Sequence, residues 1–488
     1  MTARPDPGAA TLGLGLALAV VSLLLARDAW VGPASVVGWE EGLNARAALL
    51  VACGHVASLG ELQYRPFCGG CTADALVGAP LMRAFGPGRL VWKAVPALFH
   101  LLLLGAGAVA LGGRRAGAVA LGAWLLLEAG APGWSRALAV TGWGNHAEGA
   151  AVGLLGLALA ARSMPGRRWG GLVAGGALVG LATWISWSAG WAIAALVGWA
   201  LWERRAAGLA ALAAVALGLT PLMLRLRAFP GEVADAAAFW TALEPAPPAA
   251  ALRWLWGDFV RGGLWATGAS GDLDPVAAAW WTLALGLGLA GAVAGARRGG
   301  AGRVAGLALA AAVGAWLLRY DAWDDNPAVV GFDWFNTRYR AALWPLLALG
   351  AAELARRRPP ALAAIVCLAA LGLGHRLAEP AAEPGLRGSV AVAAHHAPDP
   401  TVPSGAPRRR LARQLGRPQD VAAAAAFLAD HADPLPACRA HHAYELGRRV
   451  GLGGGAPPGG PPTAPLDAAA AYARGVSDGR ATRRPAVP

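Results

Sequence analysis

Two adjacent carboxylates, Glu40 and Glu41, stand just beyond the first apolar run of the chain, in the stretch Trp39-Glu40-Glu41-Gly42-Leu43-Asn44-Ala45-Arg46. Acids are costly in lipid, but at its edge the surrounding wall sets their pKa and orientation, so one can take a proton from a hydroxyl or hold a cation. The plain alternative is a solvated loop with an incidental acid pair. His146-Ala147-Glu148 offers an imidazole and a carboxylate two positions apart. On a helix they would face different sides, so joint work on a substrate requires them to lie in the loop before a span begins. Asp324-Asp325 is a further acid pair, read either as a divalent-cation ligand or as a solvated turn. Cys68-Gly69-Gly70-Cys71 has CxxC spacing, yet no second CxxC completes a zinc site and no βαβ pattern surrounds it. A loop-stiffening disulfide is the preferred reading over redox catalysis.

The elements that must position these residues are apolar. Of 488 residues, 56% are hydrophobic and 15% charged, and the mean hydropathy is +0.46. This is the composition of a polytopic membrane protein. The formal charge of +13 does not indicate nucleic acid, because the basic residues fall in short clusters between apolar runs, as the positive-inside bias requires. Lys93 is the only lysine, which removes P-loop and Schiff-base chemistry from most of the chain.

Thr11 to Leu25 reads as an uncleaved first span with the N-terminus inside, since no small-x-small site closes it. A long outer loop follows over 27–89, in which Glu41 to Ala57 has helical apolar spacing and is expected on the membrane surface. Further spans are expected at Val91 to Leu111, Ala116 to Leu127, Glu148 to Ala161, two short ones within Gly170 to Trp202, Ala206 to Leu224, Val276 to Ala296, Val304 to Leu318, Ala341 to Leu354 and Ala361 to Leu373. The total is about eleven, several of them shorter than the roughly twenty residues a perpendicular helix needs. Gly171, Gly175, Gly176 and Gly180 form small-xxx-small faces suited to close helix packing. Arg114-Arg115, Arg167-Arg168, Arg297-Arg298 and Arg356-Arg357-Arg358 mark inner connections, while acids concentrate in the outer loops 27–89, 225–275 and 319–340.

The spans carry few ionisable groups, chiefly His100, Glu128 and Glu353 near their ends, so the work is expected at the outer interface rather than at mid-membrane. Residues 376–488 are rich in Ala, Arg and Pro and form an extracytoplasmic, helical, partly flexible C-terminal region beside the transmembrane domain at 1–375. Four of the five cysteines, Cys53, Cys68, Cys71 and Cys438, fall on the outer side, where disulfides persist.

Three segments carry a family resemblance. Glu40-Glu41-Gly42-Leu43-Asn44-Ala45 resembles the D-E-(G/A)-x-x-x-A-like motif that follows helix one in the GT-C superfamily of polyprenyl-phosphate-sugar-dependent glycosyltransferases, of the dolichyl-phosphate-mannose-transferase and ArnT-like type. Gly176-Ala-Leu-Val-Gly180-Leu181-Ala182-Thr183-Trp184 is similar to their G-x-x-x-G-L-(A/S)-x-W segment. Arg338-Tyr339-Arg340-Ala-Ala-Leu-Trp-Pro345 resembles their late R-Y-x-x-P-x-x-P segment. The first motif departs from the family in having Glu40 where Asp is usual. The resemblance implies an all-α GT-C-like fold over about residues 8 to 375.

It also implies a chemistry. Moving a sugar from a lipid phosphate to a hydroxyl needs a carboxylate for the proton, cations for the departing phosphate and a wall against water. On that basis Glu40 is the expected base, Glu41 its orienting partner, and Arg338, Tyr339 and Arg340 the donor-phosphate ligands, since a guanidinium grips phosphate bidentately. His146, Glu148, Asp324 and Asp325 are the next substrate-binding candidates. For the arginines, interfacial anchoring is the alternative. The implied partners are membrane lipid, a polyprenyl-phosphate-linked sugar and a glycan or lipid acceptor; the implied place is a bacterial inner membrane, with the C-terminus outside. A transporter or flippase of lipid-linked sugar, and a scaffold whose outer tail binds a partner, are the readings from other classes. Cysteine-accessibility labelling in oriented vesicles is expected to place Glu40 and Arg338 on the same, non-cytosolic surface; opposite surfaces would remove the shared site.

Overall fold

The computed structural model describes residues 7–32, 37–54, 69–112, 117–164, 168–203, 205–228, 275–296, 301–319, 341–378, 390–391 and 473. In chain order the elements are α1 (Pro7–Trp30), β1 (Val37–Gly38), α2 (Trp39–Ala52), α3 (Gly69–Phe85), α4 (Arg89–Ala110), α5 (Gly117–Ala129), α6 (Gly133–Leu138), α7 (His146–Ser163) and α8 (Trp169–Ile185). A 3₁₀ turn (Trp187–Gly190) then leads to α9 (Trp191–Glu203), α10 (Arg205–Gly218), α11 (Thr220–Ala228), α12 (Pro275–Ala296), α13 (Ala301–Arg319), α14 (Leu343–Ala355), α15 (Pro359–Ala378) and β2 (Val390–Ala391).

Every apolar run expected to be a span is helical within the described residues, including the break near Trp187. Among the described residues three stretches are long and apolar enough to cross a membrane: Arg89–Ala110, Ala279–Ala296 and Pro359–Ala378. A fourth exists if Ala206–Gly218 and Thr220–Arg227, bent by 43° at Leu219, count as one. Pro221 explains the bend: in the first turn of α11 it has no N–H to continue the α10 ladder. The other apolar helices, among them Trp169–Ile185 and Leu343–Ala355, are shorter, so length and composition establish fewer than the eleven spans expected. The tail beyond 378, apart from 390–391 and 473, and the expected outer-loop residues at 229–274 and 320–340 lie outside the described residues.

The loop expected over 27–89 contains a further helix, α3, which composition hid because Gly69, Gly70 and an internal Pro80 argue against one. The helix expected from Glu41 onward is α2, in which Glu41, Asn44, Ala45 and Ala48 form one buried stripe, and Gly42, Ala47 and Leu49 are buried as well.

The chain divides into two compact units. Unit one comprises Met1–Ser35, Gln63–Gly70 and Pro96–Ala381. Its helices meet through small residues. A Cβ on Gly156 of α7 would come within 2.7 Å of the Gly175 carbonyl of α8, while Gly176 and Gly180 rest on the Ala211 and Val215 carbonyls of α10. Thus α8 is sandwiched, its two glycine pairs serving two neighbours. Between α12 and α14, Gly291 packs on Gly350, and Trp280 and Trp344 stack at 5.3 Å between centroids. Trp280 Nε1 also donates to the Leu368 carbonyl of α15 at 2.8 Å, so this aromatic pair joins three helices.

Unit two comprises Val36–Leu62, Cys71–Val95 and Ala382–Pro488. Here α2, α3 and the start of α4 close around Gly78, whose Cβ would stand 3.0 Å from Ala48 and 3.1 Å from Trp92. A parallel bridge pairs Val37 with Val390 and Gly38 with Ala391. This is a short exception to the all-α expectation.

Gly176→Val is expected to cost about 1–3 kcal/mol or more by forcing α8 from α10. Gly105→Ala, where a Cβ meets nothing within 4 Å, is expected to be neutral or to stabilise by about 0.5–1 kcal/mol. Thermal unfolding in one detergent checks both; equal shifts would remove the packing argument.

Candidate functional site

In unit two, the second acid of the motif is fixed by the chain's only lysine. Lys93 Nζ of α4 donates to Glu41 Oε1 at 2.8 Å and to Oε2 at 2.9 Å. Both side chains are buried, with 0% and 1% exposure. An ammonium held against both carboxylate oxygens at these distances is a charge-assisted pair of good geometry, and losing either partner strands the other charge out of water. Arg83 of α3 secures the far end of α2, donating from Nε to the Ala52 carbonyl at 2.8 Å and from Nη2 to that of Val51 at 2.9 Å. A cation there meets the negative end of the helix dipole. Asn44 of α2 and Asp74 of α3 are buried in the same unit. Glu40 belongs to the first turn of α2; its side chain lies outside the described residues.

In unit one, His146 and Glu148 both fall in the first turn of α7 and both are buried. The condition for joint work, that both lie in the loop before the span, is therefore not met: both are helical, and two positions apart on one turn they point to different sides. His146 Nδ1 is 3.2 Å from Ser188 Oγ, and Ser188 Oγ is 2.7 Å from Ser186 Oγ. The break between α8 and α9 thus supplies a hydroxyl pair to the imidazole. Neither serine carried a motif in the sequence.

A second charged cluster in unit one was also missed. Asp28 at the end of α1 accepts from Arg376 Nη2 of α15 at 2.7 Å and from Arg27 Nη1 at 3.3 Å, with Arg136 Nη1 of α6 at 3.8 Å. Arg376 Nη1 also donates to the Ala129 carbonyl at 2.9 Å, and Arg136 Nε to that of Ala131 at 3.0 Å. Two guanidinium groups on one carboxylate are tolerable because Asp28 offsets their charge and the Ala129 carbonyl at the end of α5 and the Ala131 carbonyl just past it accept their N–H groups. Nearby, His100 Nε2 approaches Glu128 Oε2 at 3.8 Å. Asp28, Arg136 and Arg376 lie just beyond the expected spans, and His100 and Glu128 are span-end groups that the sequence singles out.

Arg338, Tyr339, Arg340, Asp324, Asp325 and Cys68 lie outside the described residues. Cys71 is disulfide-bonded, as is Cys53, while Cys367 is free. Among the described residues no group of three or more His, Cys, Asp or Glu side chains could hold a metal ion.

Apolar helices packed through glycine, with buried ion pairs at their ends, define a helical membrane-protein architecture. The chain is similar to ArnT from Cupriavidus metallidurans solved bound to undecaprenyl phosphate, with a TM-score of 0.51 and 19% identity over 97% of this chain and 76% of that one. The apo form of the same ArnT gives a TM-score of 0.46 and 18% identity over 97% and 75%. No family model matches the chain, and no curated protein does.

Lys93→Met is expected to destabilise by about 3–5 kcal/mol, because Glu41 is left charged and buried, and Glu41→Leu combined with Lys93→Met to recover most of that loss. A double-mutant cycle on thermal unfolding checks it; additive losses would mean the pair is not coupled.

Proposed function

We propose that the chain is a membrane glycosyltransferase moving a sugar from a polyprenyl-phosphate carrier to an acceptor hydroxyl of a glycan or lipid, at the outer face of a bacterial inner membrane. The observation that carries the reading is the ArnT-like fold over 97% of the chain, in a protein solved with a polyprenyl phosphate bound. The three sequence motifs support the same reading.

In this mechanism Glu40 accepts the proton of the acceptor hydroxyl as that oxygen bonds to the anomeric carbon. The bond from the anomeric carbon to the phosphate oxygen breaks, and its electron pair leaves with the phosphate. Arg338 and Arg340, with Tyr339, hold that phosphate and answer its growing charge. Glu41 is a positioning residue: the Lys93 contact at 2.8 Å fixes the helix from which Glu40 extends. His146 and Glu148 bind the substrate, with Asp324 and Asp325 as further candidates for that role.

In membranes with a working lipid-linked donor, Glu40→Gln is expected to lower kcat by about 10²–10⁴-fold with little change in donor KM. Unchanged transfer would end Glu40's assignment as base. Movement of lipid-linked sugar across the bilayer without a new glycosidic bond would replace the transferase with a transporter.

A further inference from the structure

Where the start of α7 meets the turn between α8 and α9, unit one holds more polar side chain than its packing uses. The line Ser186–Ser188–His146 is continuous at 2.7 and 3.2 Å. Beside it are two buried polar atoms without a hydrogen-bond partner: Asn145 Oδ1, an acceptor, and Trp184 Nε1, a donor. Asn145 is 8% exposed, and it precedes a helix start where its side chain makes no cap. Gly69 and Gly70 bring these two residues to one place. A Cβ on Gly69 would stand 2.7 Å from the Trp184 ring, and one on Gly70 would stand 2.7 Å from Asn145 Cα. The glycines of the CxxC segment thus let backbone press against both residues, a role separate from the cysteines. Trp143, Trp184, Trp187 and Ser188 are half-buried, so the junction reaches the surface.

Buried polar atoms are rarely left unanswered, and those that are mark places where something else supplies the partner. The pattern selects the ligand chemistry. A phosphate has only acceptors and cannot answer Asn145 Oδ1; an ammonium has only donors and cannot answer Trp184 Nε1. A hydroxyl does both. Two neighbouring hydroxyls on one ring would answer the amide oxygen and the indole N–H together, displacing water, while the C–H face of the ring lies on an indole. The serine–histidine line is equally amphoteric, since each hydroxyl can turn to donate or accept.

We propose that this junction binds the adjacent hydroxyls of a sugar ring. The assignment rests on the transferase reading for the source of that sugar, which is either the donor lipid or the acceptor glycan.

The test uses the full-length protein in lipid nanodiscs and saturation-transfer NMR against methyl glycosides of glucose, galactose, mannose, arabinose and xylose. At least one is expected to bind. Trp184→Phe, which keeps the ring and removes the N–H, and Ser188→Ala are each expected to weaken it by about 3–10-fold. Trp184→Phe should leave the melting midpoint of the unliganded protein unchanged or raised, because the deleted donor has no partner there. No binding by any glycoside, binding unaffected by both variants, or a lowered melting midpoint for Trp184→Phe would each overturn the proposal. In a transfer assay, a raised KM for the donor alone assigns the site to the donor's sugar, and one for the acceptor alone to the acceptor's. A protein that binds glycosides through Trp184 and Ser188 but forms no glycosidic bond keeps the site and loses the transferase reading. Transfer with no glycoside binding does the reverse.

Discussion

Charge removed from water has to be met by charge, and each compact unit of this chain is arranged around one such meeting. In unit two the Glu41–Lys93 pair is fully enclosed, so α2 and the start of α4 have a fixed register: sliding either helix by one turn, about 5.4 Å, would strand both ions. In unit one the same requirement gathers α1, α5, α6 and α15 around Asp28. Hydrophobic burial alone could not set these registers, because an alanine- and leucine-rich helix meets its neighbour almost equally well after a slip. The ion pairs supply the specificity that the apolar residues lack.

Close packing supplies the rest. Backbone-to-backbone approach at Gly156 and Gly175, at Gly176 and Ala211, and at Gly291 and Gly350 gives dispersion contacts that larger residues would forbid. In lipid, where burying a leucine gains little over leaving it among acyl chains, such contacts and the indole stack at Trp280 and Trp344 decide which helices are neighbours. The serine-bearing break between α8 and α9 is compatible with this because Trp191 and Ala192 resume the helix immediately and pack against Gly153 of α7.

Much of the helical layout was legible in the sequence, and the reasons are local. Apolar runs bounded by arginine clusters gave α4, α5, α7 to α9 and α12 to α15 to within about five residues and merged α10 with α11, and the glycine spacing in α8 identified a packing surface found on two sides. What the sequence hid was nonlocal. Nothing near Glu41 in the chain points to Lys93, 52 residues away, although a single lysine inside an apolar run of an arginine-rich protein was a usable signal. Arg376 looked like the first residue of a polar tail, yet it ends α15 with 1% exposure, because its partner Asp28 comes from the other end of the chain. Ser186 and Ser188 were invisible for the opposite reason: serine is ordinary in turns, and only the fold places them beside His146. Of the candidate site, the helix bearing Glu40 and the burial of Glu41, His146 and Glu148 are in view, while Arg338 and Arg340 remain a reading of motif and chemistry.

The Asp28–Arg376 contact spans 348 residues of sequence, and that separation has a consequence for biogenesis. At ribosomal speeds of about 5–20 residues per second, roughly 20 to 70 s pass between the synthesis of the aspartate and that of its principal counterion. For that interval the first helix enters the membrane with its acid answered only by the neighbouring Arg27 and then by Arg136. Unit one is therefore not sealed until α15 arrives, and a ribosome stalled before that helix would release a chain whose first helix still carries an unmet charge, a mark by which quality-control proteases tell unfinished copies from complete ones.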